Sequence, residues 1–339
     1  MNNRVVAFRS LFQRLVLAGA VPVAGCGSTV ITGSDGAADV YSDVAPDVAP
    51  DVAPDRPDCA RVLGPDNSCQ RSVTYPCGDA PRAAGGSPDC NAICAGTSMF
   101  GGFVNCYEQT PDAGPPVFQC VYCAVGRRVD GFAPVAASSG GAVGDYFAAV
   151  AQLEAASVIA FARMARELAA HGAPEALVAE ARRAADDERR HARDTARLAR
   201  ARGARVPRLP RLADDVRPLR EVALDNAAEG CVRETFGALV ATWQATRAAD
   251  ADVARVMDVI AVEETRHAAL SWSVAAWLDG VLTDDDRAAV ADARAEATAG
   301  LLAELAAPID PALVRDAGMP DAGTALALAR AMLAELPSA

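Results

Sequence analysis

The chain contains no lysine; all 32 of its basic residues apart from histidine are arginine. With alanine so abundant, this reflects coding composition rather than function. Positive charge is also outweighed, leaving a net charge of −12. That balance excludes the basic footprint of a nucleic-acid-binding protein. No acidic residue occurs before Asp35, and the apolar run from Leu15 to Ala24 is too short for a membrane-spanning helix. Histidine is nearly absent as well. There are three, and two of them sit in one repeated word.

Residues 187–192 read Asp-Glu-Arg-Arg-His-Ala and residues 263–268 read Glu-Glu-Thr-Arg-His-Ala. Each contains Glu-x-x-His, as Glu188 with His191 and Glu264 with His267. On an α-helix, positions i and i+3 share a face one turn apart, so a carboxylate and an imidazole so placed can hold one metal ion together. Two such helices, with one further Glu from each of two more, make the di-iron carboxylate site of a four-helix bundle.

Bundle seams advance in alternating steps of three and four. One seam runs Leu177, Ala181, Ala184, Glu188, His191, Thr195, Leu198; the other runs Val253, Met257, Ile260, Glu264, His267, Ser271, Val274. Both are otherwise apolar or small. Inward carboxylates without partners are costly there, which favours a metal over a solvated face. Each preceding helix offers an inward Glu. Phe147, Ala151, Glu154, Val158 and Phe161 form one seam; Asp225, Glu229, Val232, Phe236 and Leu239 form the other.

Glu154 precedes Phe161 by seven residues and Glu229 precedes Phe236 by seven, while Glu-to-His separations are 37 and 38. The pattern is an internal repeat of two helical hairpins. Counting away from the turn at His171-Gly172-Ala173-Pro174 places Glu154 opposite His191. Counting from the turn near Ala249-Asp250 places Glu234 level with Glu264, but about 140° round the helix from Glu229. The repeat selects Glu229 as the ligand and leaves Glu234 behind it, as a supporting group or alternate ligand. Asp187 and Glu263, each four residues before a ligand His, are candidates to accept the outer N–H of an imidazole on the opposite helix.

Between the hairpins, residues 204–218 hold Pro207, Pro210 and Pro218. About 15 extended residues span roughly 50 Å, longer than a 28-residue helix of about 42 Å. The segment is therefore long enough for the crossover that ferritin-like folds require.

With these features together, residues 143–280 resemble the ferritin-like superfamily, nearest in pattern to rubrerythrin-type di-iron proteins. The resemblance implies an all-α fold: a ferritin-like four-helix bundle with extra C-terminal helices, preceded by a small disulfide-rich region and a disordered spacer. It implies metal ligands Glu154, Glu188, His191, Glu229, Glu264 and His267 for two iron ions, with manganese as the alternative. It also implies O₂ or peroxide as co-substrate and an electron donor that the sequence does not name.

Arg4, Arg9 and Arg14 precede the Leu15–Ala24 run, which ends in Val23-Ala24-Gly25-Cys26 and resembles a bacterial lipobox. The resemblance implies cleavage before Cys26, lipidation of its thiol and a stable membrane anchor. Gly27, rather than Asp, then implies the outer membrane of the cell envelope, facing periplasm or surface. Three copies of Val-Ala-Pro-Asp through Asp55 form an extended spacer. Cys59, Cys69, Cys77, Cys90, Cys94, Cys106, Cys120 and Cys123 read as disulfides of an exported region. The rival is a metal held through Cys90-x-x-x-Cys94 and Cys120-x-x-Cys123. Cys231, alone on a helix, reads as a small buried hydrophobe. Thr283-Asp284-Asp285-Asp286 caps a fifth helix, and 323–335 can form a sixth.

The expected organisation is a signal peptide at 1–25, spacer at 26–58, Cys-rich region at 59–124, linker at 125–142, bundle at 143–280 and C-terminal helices at 281–339. The expected activity is Fe(II) oxidation or peroxide reduction, as a ferroxidase or a rubrerythrin-like peroxidase. The alternative is a non-enzymatic cell-envelope binding module on the same bundle. Tyr146 alone lies in the bundle, eight residues from Glu154, which argues against a radical-generating subunit.

Overall fold

Glycine and proline punctuate the chain where helices must end, and Ala, Leu, Arg and Glu fill the stretches between them. The computed structural model describes residues 2–19, 62–67, 70–76, 80–82, 93, 105–109, 115–121, 141–209, 212, 214–306 and 309–336. Helix α1 (Asn2–Ala18) comes first, followed by strands β1 (Val62–Asn67), β2 (Gln70–Thr74), β3 (Asn105–Gln109) and β4 (Val117–Val121). Helices α2 (Gly141–Ala170) and α3 (Glu175–Ala201) form the first hairpin. The second contains α4 (Leu219–Asp225), a π-helix (Asn226–Glu234), α5 (Thr235–Arg247) and α6 (Ala251–Asp279). Then come α7 (Asp284–Leu305), α8 (Pro311–Arg315) and α9 (Ala322–Glu335).

The chain is mostly helical, as an all-α reading expects, and the helices pack as a bundle. Helix α2 ends because Gly172 adopts φ 76°, which lets Ala173 N–H reach Leu168 O at 2.8 Å and Gly172 N–H reach Ala169 O at 3.2 Å. Pro174 then opens α3 without a side-chain cap. The second turn is made differently: Asp250 accepts from the amides of Asp252 at 2.9 Å and Val253 at 3.2 Å. The seams packed between the helices are buried, with Phe147, Phe161, Leu168, Phe236 and Leu239 fully inside. Each such side chain contributes about 2–3 kcal/mol of apolar burial.

The proline-rich segment runs the length of α2. At one end Ala204 lies against Gly144; in the middle Leu209 and Leu212 pack on Leu153, Ala156 and Ala160. At the far end Arg217 binds the buried Glu167 carboxylate at 2.7 Å, and His171 Nε2 donates to Arg217 O at 2.8 Å. Helix α7 starts at the Thr283 cap, which accepts from Asp286 N–H at 3.2 Å, and α9 covers 322–335 close to the expected sixth helix.

Two findings lie outside the sequence expectations. Residues 2–18, read as part of a leader, form a helix whose Phe8, Leu11, Phe12 and Val16 bury against α5, α6 and α9. Residues 62–121 contain a four-stranded antiparallel sheet of order β1-β2-β4-β3, with Val73 and Phe118 buried. Its strands are five or six residues long, too short for a clear alternating pattern. Cys106 and Cys120 sit at directly opposed positions of β3 and β4. The thiols of Cys59, Cys69, Cys77, Cys90, Cys94, Cys106, Cys120 and Cys123, and likewise Cys26 and the spacer, lie outside the described residues.

Candidate metal centre

The two Glu-x-x-His words face each other at the centre of the helical packing, one on α3 and one on α6. Glu188, His191 and His267 are each 1% exposed. The imidazole rings stand 5.8 Å apart, and Phe161 of α2 packs against His267 at 5.0 Å. His191 Nδ1 lies 3.1 Å from Glu264 and 3.5 Å from Glu188; His267 Nδ1 lies 3.2 Å from Glu188, 3.5 Å from Glu264 and 3.6 Å from Glu234. Two groups of possible ligands result. Glu154, Glu188, His191 and Glu264 bring their donor atoms within 4.8 Å of one another, and so do Glu188, Glu234, Glu264 and His267. Glu188 and Glu264 belong to both groups.

Burial and the neighbouring charges compete at each of these groups. Burial, reinforced by the Glu188 charge, raises the Glu154 carboxyl well above the usual range. Burial alone would lower both imidazoles, but contacts to Glu188, Glu263 and Glu264 outweigh it at His191, and Glu264, Asp187, Glu188 and Glu234 do so at His267. Both imidazoles are therefore raised well above their ordinary value. Burial likewise would raise Glu264, and the two imidazoles outweigh it and hold it low.

Behind the rings lies a clamp that crosses between the helices. His191 Nε2 meets Glu263 at 2.8 Å, and His267 Nε2 meets Asp187 at 3.3 Å. Each acid accepts from the imidazole of the opposite helix, which leaves Nδ1 of both rings facing inward. Contact with His191, helped by Arg190, brings the Glu263 carboxyl down to about 2 against the opposing effect of burial. Burial would raise Asp187, but His267 and Arg266 outweigh it and hold it well below its usual range. Arg190 binds both Asp187 and Glu263, the latter at 2.8 Å. Arg266 binds Asp187 at 2.8 Å and Glu263 at 3.4 Å.

The position of Glu229 requires a correction. The structure brings Glu234 into the cluster and leaves Glu229 out of both groups. Glu229 instead lies 3.6 Å from Arg233, whose guanidinium also binds Glu304 of α7 at 2.5 and 2.8 Å. The physical reason is the π-helix over 226–234. Its wider turn, with i→i+5 hydrogen bonds, breaks the 3.6-residue seam on which the repeat alignment depended. The count of levels along the helices set Glu234 beside Glu264 and Glu229 within about a turn of His267, and of the two it is Glu234 that lies in the cluster.

Arg190 and Arg266 were missed at the sequence level, although the signal was present. Both words place Arg immediately before His. Cys231 is a buried thiol whose Sγ lies 3.8 Å from Ser271 O, and Trp243 and Trp272 belong to the core. Trp272 Nε1 donates to Thr235 at 3.1 Å.

Buried Glu and His side chains of this chain thus lie within ligand distance and can hold a metal ion. The fit is supported by atoms that have no other use: His191 Nδ1, His267 Nδ1 and Glu188 Oε2 are buried and make no hydrogen bond. No protein-family model, curated protein or solved structure matches the chain.

Proposed function

We propose that the helical domain is a ferritin-like four-helix bundle with a dinuclear iron centre that oxidises Fe(II) or reduces peroxide. The observation that carries this reading is the sharing of Glu188 and Glu264 between two ligand groups, each completed by its own His and its own Glu. Glu154 and His191 complete one position, and Glu234 and His267 complete the other. Four carboxylates offset the charge of two divalent cations, so a buried pair needs no further counter-ion. A set of four carboxylates and only two imidazoles suits iron or manganese better than zinc or copper.

When bound, a ferrous pair supplies two electrons, enough to take one peroxide and two protons to two waters. The chain's own residues prepare the place. Asp187 and Glu263 fix the outer N–H of each imidazole, so the inner nitrogens present lone pairs. Phe161 and the apolar seams keep water from the ligand side. Glu154, whose charge is disfavoured by burial and by Glu188, can hold a proton until a cation arrives.

On the cellular side, the Arg-rich start, the Leu15–Ala24 run and the lipobox-like Val23-Ala24-Gly25-Cys26 support export and anchoring as an envelope lipoprotein. Cleavage before Cys26 would remove α1 and uncover the apolar face of α5, α6 and α9 beneath it.

Protein made in iron-rich medium should carry about two irons per chain. It should change its absorption on addition of Fe(II) and O₂. Metal analysis finding less than about half an iron per chain, with no such change, would remove the dinuclear reading.

A further inference from the structure

Helix α7 is bolted at its two ends and poorly packed between them. Arg220 binds Asp286 at 2.6 Å near its start, and Arg233 binds Glu304 near its end. Leu301 is the one fully buried residue of the helix. Beneath α7, against α4, the π-helix and the end of α6, lies a cavity of about 230 Å³. Its lining is small and apolar, with Ala227, Ala275, Leu278 and Val290 among its walls. An apolar cavity of about 150 Å³ already holds one benzene ring.

Four polar residues line it, Asn226, Asp279, Arg287 and Arg294; Asp279 is exposed at the rim, and Asn226 and Arg294 each keep a buried atom without a partner. Asn226 is 1% exposed; its amide nitrogen donates to Ser271 O at 3.0 Å, while its Oδ1 accepts no hydrogen bond. Arg294 stacks over the Trp272 ring at 5.2 Å, and its buried Nε donates to nothing. Among the described residues Arg294 has no carboxylate partner. The neighbouring cation is committed: Arg287 binds Asp284 and donates to the carbonyls of Asp279 and Leu282 at 3.0 and 2.5 Å. A guanidinium held against an aromatic face at the wall of an apolar cavity lacks the anion that would offset its partial desolvation.

We propose that this cavity binds a small apolar carboxylate, a single ring or short hydrocarbon bearing one anionic group. The hydrocarbon fills the space between Ala227, Ala275, Leu278 and Val290, and the carboxylate accepts from Arg294. A monoanion matches the single uncommitted cation, and the alanine floor leaves room for a ring. The site stands apart from the metal ligands and does not depend on metal being bound.

The test is calorimetric titration of the full-length protein with benzoate and, as the uncharged counterpart, benzyl alcohol. Benzoate should bind at least about tenfold more tightly, as expected of a charge-assisted hydrogen bond. Arg294→Gln should bring benzoate down to the affinity of benzyl alcohol. Ala275→Leu, which fills the cavity, should abolish binding of both; if its helicity by circular dichroism is lost, Ala291→Leu on α7 replaces it. Equal binding of the two probes to the wild type would overturn the proposal. So would benzoate that fails to saturate below about 10 mM, or benzoate binding that survives the cavity-filling change, which would place it at the metal centre instead.

Discussion

The two helical hairpins carry the same chemical word on different backbones. In the first, α2 is an uninterrupted helix of 30 residues, and Glu154 reaches the centre from regular α-geometry. In the second, the corresponding stretch is broken into α4, a nine-residue π-helix and α5, and the Glu that joins the cluster, Glu234, is the last residue of the π-helix. The first hairpin turns on a glycine with positive φ; the second turns on an aspartate cap. The first is covered by the extended crossover, and the second by α1, α7 and α9. The approximate two-fold symmetry of the centre therefore lives in the side chains, not in the main chain. A duplicated Glu-x-x-His brings a duplicated carboxylate and imidazole; the remaining Glu on each side is supplied by whatever backbone reaches that point.

The largest effect should come from the residues that belong to both halves. Glu188→Ala and Glu264→Ala should each take bound metal from about two ions per chain to less than about half. Helical circular dichroism should persist. Full occupancy in both variants would mean that the centre lies elsewhere.

The next effect sets the halves against each other. Glu234→Ala should lose one metal ion, the one shared with His267, whereas Glu229→Ala should keep both, because Glu229 faces Arg233. Elemental analysis of the two purified variants decides this. Metal loss in Glu229→Ala alone would show that the π-helix is absent in solution and that the regular repeat holds.

A smaller effect is expected behind the imidazoles, where the halves are most alike. Arg190→Gln and Arg266→Gln each remove one of the two cations that span the Asp187–Glu263 pair. Metal affinity should fall about 10–100-fold in each, with similar losses for the two. Competition with a chelator measures it. A loss in only one variant would break the symmetry of the clamp.

The smallest effect concerns the turns. Asp250→Ala should cost about 1 kcal/mol at neutral pH by removing the cap of α6. Partial burial alone would raise the Asp250 carboxyl, but the Val253 amide and the Arg202 guanidinium outweigh it and hold it below its ordinary value. A depressed folded-state value stabilises above the ordinary carboxylate range, near pH 4, and that stabilisation is lost as the pH falls through the folded-state value. The difference between wild type and variant in urea unfolding should therefore shrink on going from neutral pH to about pH 3. The first turn has no side-chain cap at Pro174 and so no counterpart of this variant.

Much of the centre was legible because helical spacing is a strong constraint. Glu188 with His191, and Glu264 with His267, need only one turn of helix to share a face, and Glu154 followed from counting away from a turn marked by Gly172 and Pro174. Glu229 was chosen for a reason that fails in a π-helix: its seven-residue step to Phe236 has meaning only if every intervening turn has the same pitch. The sheet escaped because its strands are short and interrupted. The face that α1 covers escaped because the same apolar residues that read as an export run, such as Leu15 and Val16, also suit packing on a bundle.

The sequence by itself determined the helical class, the two hairpins and the residue types that meet at their centre, since these follow from local periodicity and from the cost of burying unpaired charge. Only the tertiary structure decided which of two glutamates on one helix completes the cluster. It also decided which acid serves which imidazole, that Arg190 and Arg266 span both acids, and that α7 encloses a cavity lined by Asn226 and Arg294. Those outcomes depend on pitch, on the distance between helices and on how ends are fastened. A sequence records none of these quantities residue by residue, because each is the sum of packing over the whole length of its neighbours.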